Sequence, residues 1–184
     1  MTAPLSATSV LREEHARILK LLDAMAEAVT RIAAGEHPPT TWLESFHEFL
    51  EATVEGSHHR KEEGVFFAAL VDAGLPESGV ITRLEEEHKR CRALLTRLEE
   101  QVGEQAKWAE TATDYIELYR SHIALENELL FAVAEDLLSD EEQRTLAERM
   151  GSVGEPPAKL QERLGGLVDG FGRRIELSRI GRFA

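Results

Sequence analysis

A chain of 184 residues accommodates one domain with a sizeable core and excludes two substantial ones. Its formal net charge of −13 repels a phosphate backbone, and no basic stripe interleaved with aromatics reverses that locally, which excludes nucleic acid as a partner. The single cysteine, Cys91, excludes an internal disulfide and a thiolate-rich metal site and fits a reducing compartment. With no signal pattern over Met1 to Val10 and no apolar stretch near the roughly 20 residues that cross a bilayer, the expected location is cytoplasmic, away from membranes.

Helix formers dominate, and the prolines and most glycines fall between long periodic segments, which predicts an all-α chain. The first helix starts near Thr8 or Ser9 and stops at Gly35, with a seam of Leu11, His15, Ile18, Leu22, Met25, Val29 and Ile32 at 4-3 spacing. The second runs from about Thr40 to Ala73, its buried line being Leu43, His47, Leu50, Val54, His58, Glu62, Val65 and Ala69. The third, from near Ser78 to Gly103, carries Ile81, Leu84, His88, Cys91, Leu95, Leu98 and Val102. The fourth, from about Gln105 to Leu138, carries Trp108, Ala112, Tyr115, Tyr119, His122, Glu126, Leu129 and Val133. Four such amphipathic helices with short connections predict an antiparallel up-down four-helix bundle.

Ser139 is placed to cap a short fifth helix over Asp140 to Met150, closing a bundle unit over 1–150. Glycines and prolines then punctuate a tail over 151–184, with a short helix around Ala158 to Leu164. The tail arginines Arg173, Arg174, Arg179 and Arg182 suit packing on the acidic bundle or on a second subunit, which leaves monomer and homodimer both open.

The bundle is written twice. Arg12-Glu13-Glu14-His15 resembles Glu85-Glu86-Glu87-His88, and His58-x3-Glu62 followed by Phe66-Phe67 resembles His122-x3-Glu126 followed by Leu130-Phe131. Two matching helix pairs predict a pseudo-twofold bundle.

Six ionisable residues sit on the four apolar seams: His15, His58, Glu62, His88, His122 and Glu126. A lone seam histidine is ordinarily a core residue satisfied by one hydrogen bond, but six such groups are not. Burying each unpaired charge costs several kcal/mol, against a net stability of about 5–15 kcal/mol for a domain of this size. No lysine or arginine lies on the seams, so the compensating charge comes from outside the chain. The six also share a depth, because His15 and His58 lie 20 and 19 positions from Gly35 and Pro39, about 30 Å from the same end at 1.5 Å per residue. Four imidazoles and two carboxylates are too many for closed tetrahedral zinc and too nitrogen-rich for calcium or magnesium. They suit a pair of octahedral first-row ions with both carboxylates bridging, leaving positions for an oxo, hydroxo or water bridge and for exogenous ligands.

The doublet His59-x3-Glu63 has the same spacing as His58-x3-Glu62, and the apolar period selects the latter, rotating His59 and Glu63 about 100° toward solvent. His47 is expected at the core or its rim, and His37 in a loop.

A lone His, HxxxE, a lone His and HxxxE on successive helices resemble the hemerythrin family, specifically the bacterial hemerythrin-like HHE cation-binding domains, over about residues 8–138. The resemblance implies two iron ions bridged by Glu62 and Glu126, with His15 and His58 on one and His88 and His122 on the other. It implies small-molecule ligands such as dioxygen, nitric oxide or peroxide, and roles in sensing, protection or iron handling. The HxxxH of the oxygen carriers is absent on the third helix, where Arg92 stands one turn after His88. That absence opens both irons to ligand and turns the expectation from reversible carriage toward peroxidase-like, oxidase-like or sensing chemistry. Glu85 and Tyr119 are the candidates for a further ligand. Two alternatives remain: a ferroxidase-type enzyme, disfavoured because only Glu85-x-x-His88 has the ExxH spacing of ferritin-like sites, and a bundle that binds a redox-silent ion structurally.

Overall fold

The computed structural model describes residues 5–163 and Gly166. Among these there is no strand, and no helix is long and apolar enough to cross a membrane. Most of the expected tail, including Arg173, Arg174, Arg179 and Arg182, lies outside the described residues.

The first helix, α1 (Ala7–Ala33), begins slightly earlier than the pattern predicts, because Ser6 rather than Thr8 or Ser9 is its cap. The Ser6 hydroxyl accepts from the Ser9 amide, and the Ser9 side chain returns to the Ser6 backbone. It ends at Gly35, whose φ of 81° suits a residue without a Cβ. After Pro38 and Pro39 the chain reverses into α2, residues 40–72. It is α-helical over Thr40–Leu50, His59–Lys61 and Phe67–Asp72, but opens into wider π-helical turns over Glu51–His58 and Glu62–Phe66. The helix α3 (Thr82–Glu100) follows a kinked lead-in in which Gly79 has φ 109°. Helix α4, residues 105–137, again contains a π segment, Glu126–Leu130. The helix α5 (Asp140–Gly151) is capped as expected by Ser139, in a reciprocal pair with Glu142. Residues 158–163 form a short α6, whose Leu160 reaches the core.

Helix α1 packs on α2 and α4, and α3 packs on α2 and α4, giving the square of an up-down bundle. Helix α5 lies outside it, against α1 and the Glu62–Phe66 turn. The interior is not one continuous oil drop. One apolar cluster, around Leu22, Met25, Phe46, Phe49, Leu95, Trp108 and Tyr115, fills one end, and a second, around Leu11, Phe66, Phe67, Leu70, Leu84 and Phe131, fills the other. The polar seam residues lie in the slab between them.

Candidate metal centre

His15, His58, Glu62, His88, His122 and Glu126 are all buried to 1% exposure or less, and the bundle brings them to one place. His15 Nε2 lies 3.1 Å from His58 Nε2, and His88 Nε2 lies 3.1 Å from His122 Nε2. Between the pairs stand the two carboxylates. Glu62 Oε1 is 3.1 Å from His58 Nε2 and its Oε2 is 3.3 Å from His88 Nε2. Glu126 Oε2 is 3.1 Å from His15 Nε2 and 3.3 Å from His122 Nε2. Each glutamate therefore faces both histidine pairs, as a bridging ligand must.

The opposite ring nitrogens fix how the imidazoles point. His58 Nδ1 donates to Glu14 (2.9 Å), His88 Nδ1 to Glu63 (2.7 Å), His122 Nδ1 to Glu87 (3.0 Å) and His15 Nδ1 to the side-chain oxygen of Asn127 (3.0 Å). A proton held at Nδ1 leaves the Nε2 lone pair turned inward, the arrangement in which histidine ligates a metal. Two inward nitrogens 3.1 Å apart repel each other whether both are bare or both protonated. A single shared proton would satisfy one such pair and still leave the four carboxylate oxygens of Glu62 and Glu126, which have no hydrogen-bond partner. Cations between these atoms relieve every one of these conflicts at once, so the donor set fits a pair of metal ions.

Electrostatics point the same way. Burial alone would lower the basicity of His58, but the Glu62 and Glu14 carboxylates outweigh it and push it up to about 10. His88, likewise opposed by burial, is pushed up to about 9 by Glu62 and Glu63, and His15 is raised by Glu126 and Glu62. Glu62, which burial would raise, is held well below the usual carboxylate range by the imidazoles around it. The site attracts positive charge strongly, and a metal ion would enter by displacing protons.

The sequence profile of the hemerythrin HHE cation binding domain matches residues 6–134, a stretch that contains all six residues. The chain belongs to the hemerythrin family. It is similar to a protein of Mycobacterium bovis and to two of Mycobacterium tuberculosis, all uncharacterised, each 26% identical over 153 residues. The match covers 79% of this chain and 60% of each relative, so the chain spans less than two thirds of the length of the curated relatives it matches. No solved structure matches it.

In this hemerythrin-family chain the site holds a residue that the periodicity placed elsewhere. His59 does not turn toward solvent: it is 1% exposed and its ring stacks on His88 with centroids 3.7 Å apart. Two four-residue groups could each hold an ion, His15, His58, Glu62 and Glu126 in one, and His59, Glu62, His88 and His122 in the other. Burial, reinforced by the neighbouring imidazoles, keeps His59 neutral, as a ligand must be. The physical reason for the correction is the π-helical stretch that ends at His58. Wider turns carry more residues per revolution than the 3.6 assumed, so two consecutive histidines both face inward. Glu63 does face outward in part, yet it reaches back to His88.

Tyr119, fully buried, hydrogen-bonds through its hydroxyl to His59 Nε2 at 3.0 Å. Glu85 belongs to neither group; the buried acid on its turn is Glu87. Arg92, where the carriers' histidine would stand, pairs with Glu55 and Glu63 at 3.2 Å. His47 sits at the rim, beside Glu51 and Glu99. A buried cation also exists off the seams: Lys61, 1% exposed, lies 2.5 Å from both Glu14 and Glu155.

Proposed function

We propose that this chain is a non-haem di-iron protein that binds or reacts with dioxygen, nitric oxide or peroxide in sensing, protection or iron handling. The observation that carries the reading is the set of inward Nε2 atoms whose Nδ1 positions are all pinned by acids or an amide, around two carboxylates without donors. In this reading His15 and His58 would hold one iron and His88, His122 and His59 the other, with Glu62 and Glu126 shared between them. An iron pair supplies one- and two-electron exchange with small oxidants, at positions the protein leaves open.

The chain's own residues set the terms. Glu14, Glu63, Glu87 and Asn127 keep the imidazoles in one tautomer and one orientation. The two apolar clusters above and below the slab exclude water and strengthen each of these interactions. With both carboxylates bridging, five donors would surround the second position and four the first, so a small ligand would enter beside His15 and His58. The acids behind the histidines, Glu14, Glu63 and Glu87, are each taken up by a histidine and a cation, Lys61, Arg92 or Arg83, and this scarcity of free inner carboxylates weighs against a ferritin-like ferroxidase.

Metal analysis of protein purified from iron-replete cells tests the reading first: two irons per chain are expected. The reduced protein is then exposed separately to dioxygen, nitric oxide and peroxide, with a change in visible absorption expected for at least one. Zinc or another redox-silent ion at full occupancy, or iron indifferent to all three, would sink it.

A further inference from the structure

Lys61 has no part in the metal groups, yet it is buried to 1% in the side of the bundle with its ammonium between two carboxylates. One of them, Glu14, holds His58 Nδ1 with its other oxygen. The other, Glu155, is half exposed and belongs to the segment after α5, beyond the stretch matched by the family profile. A second bond fastens this segment to α2, where the Ser57 hydroxyl donates to Gly154 O at 3.0 Å. The result is an unbroken line from Glu155 through Lys61 and Glu14 to His58.

The matching line in the other half of the bundle is different. Glu87, which holds His122, takes its second bond from Arg83 of the same helix, whose side chain is 57% exposed. A solvated guanidinium pair contributes little to geometry. A buried ammonium between two acids fixes both of them, because moving either one strands a charge away from water.

We infer that Glu155 and Lys61 are positioning residues for His58, so that the strap after α5 helps to hold one of the two metal positions. The inference rests on the metal reading given above. Lys61 orients Glu14, Glu14 orients the His58 ring, and Glu155 keeps the Lys61 ammonium over Glu14 rather than letting it swing out to water. Loss of the strap contact loosens the position of His15 and His58 and leaves that of His88 and His122 alone.

The test uses the full chain, stripped of metal and reloaded anaerobically with ferrous iron alone, with iron loss followed into a chromogenic chelator. Glu155→Gln keeps the shape of an exposed side chain and removes its charge. The expected result is a release phase about tenfold faster for one of the two irons, with the other phase unchanged, beside a modestly lower melting temperature of the metal-free protein because Lys61 loses one of its two acids. Glu155→Asp should restore most of the wild-type rate, and the exposed-acid control Glu148→Gln should match wild type throughout. Unchanged iron release in Glu155→Gln overturns the inference and leaves the metal centre standing. So does a lower metal-free melting temperature with normal release, which would make the strap a structural brace only. A wild-type chain that holds no iron overturns both readings together.

Discussion

The hairpin of α1 and α2 and the hairpin of α3 and α4 repeat one another around the site, and they agree where metal is expected and diverge one step outside it. Glu14, His15, His58 and Glu62 correspond to Glu87, His88, His122 and Glu126, and the pinning of His58 by Glu14 is reproduced in that of His122 by Glu87. Four positions between and beside them do not correspond: His59 against Ile123, Arg60 against Ala124, Lys61 against Leu125, and Glu63 against Asn127. The shared residues build a symmetric pair of positions, and the unshared ones make that pair unequal. The first hairpin supplies an additional imidazole, a buried cation and a contact to the strap, whereas the second supplies apolar packing.

The comparison breaks most completely at the bridge. Glu62 faces both pairs, so Glu62→Ala should reduce bound iron from two per chain to nearly none, read by metal analysis, although only one hairpin is altered. Next, Glu14→Gln and Glu87→Gln remove equivalent acids, and each should weaken iron binding about 10- to 100-fold in a competition titration. Glu14→Gln should also lower the urea midpoint of the metal-free protein more than Glu87→Gln does, because it leaves Lys61 buried with one acid fewer. Equal urea midpoints would show that the buried lysine does not distinguish the halves.

His59→Ile gives the first hairpin the residue of the second and should make the two positions alike. Iron stoichiometry should stay at two while the absorption bands of the ligand adduct shift, since a second open position appears. An unshifted spectrum would place His59 outside the coordination.

The pH dependence of the metal-free protein follows from His58 and His88, both raised above the ordinary imidazole value of 6.5. A raised histidine stabilises the fold fully below pH 6.5, and that contribution disappears as pH climbs through its folded value. Unfolding in chelator should therefore show stability declining from about pH 6.5, with the His88 part exhausted near 9 and the His58 part near 10, and metal-loaded protein should not show that decline. The smallest effect is expected at Arg83, where Arg83→Ala should cost less than about 0.5 kcal/mol in denaturant unfolding and barely change iron binding.

The bundle and its six inner residues are legible from the sequence because seams at 3–4 spacing report which face of a straight helix is buried. His59 is not legible by that rule, since the rule assumes the turn width that the π segments of α2 abandon. Lys61 escapes for a different reason. It lies off the seam, and its burial depends on Glu155 arriving from a segment whose path no periodicity encodes. The acids that pin the histidines occupy a middle ground. Glu14 and Glu87 directly precede His15 and His88 in both copies of the repeat, and that recurrence was the available signal for their role.

The charged slab lies between two separate apolar clusters, one near each end of the bundle. Each cluster joins residues of all four main helices, so the helices stay registered from both ends even while the middle is being emptied or refilled. Such a frame would let ions enter and leave without dismantling the helices, so loading would be a matter of swapping protons for metal rather than of folding the chain.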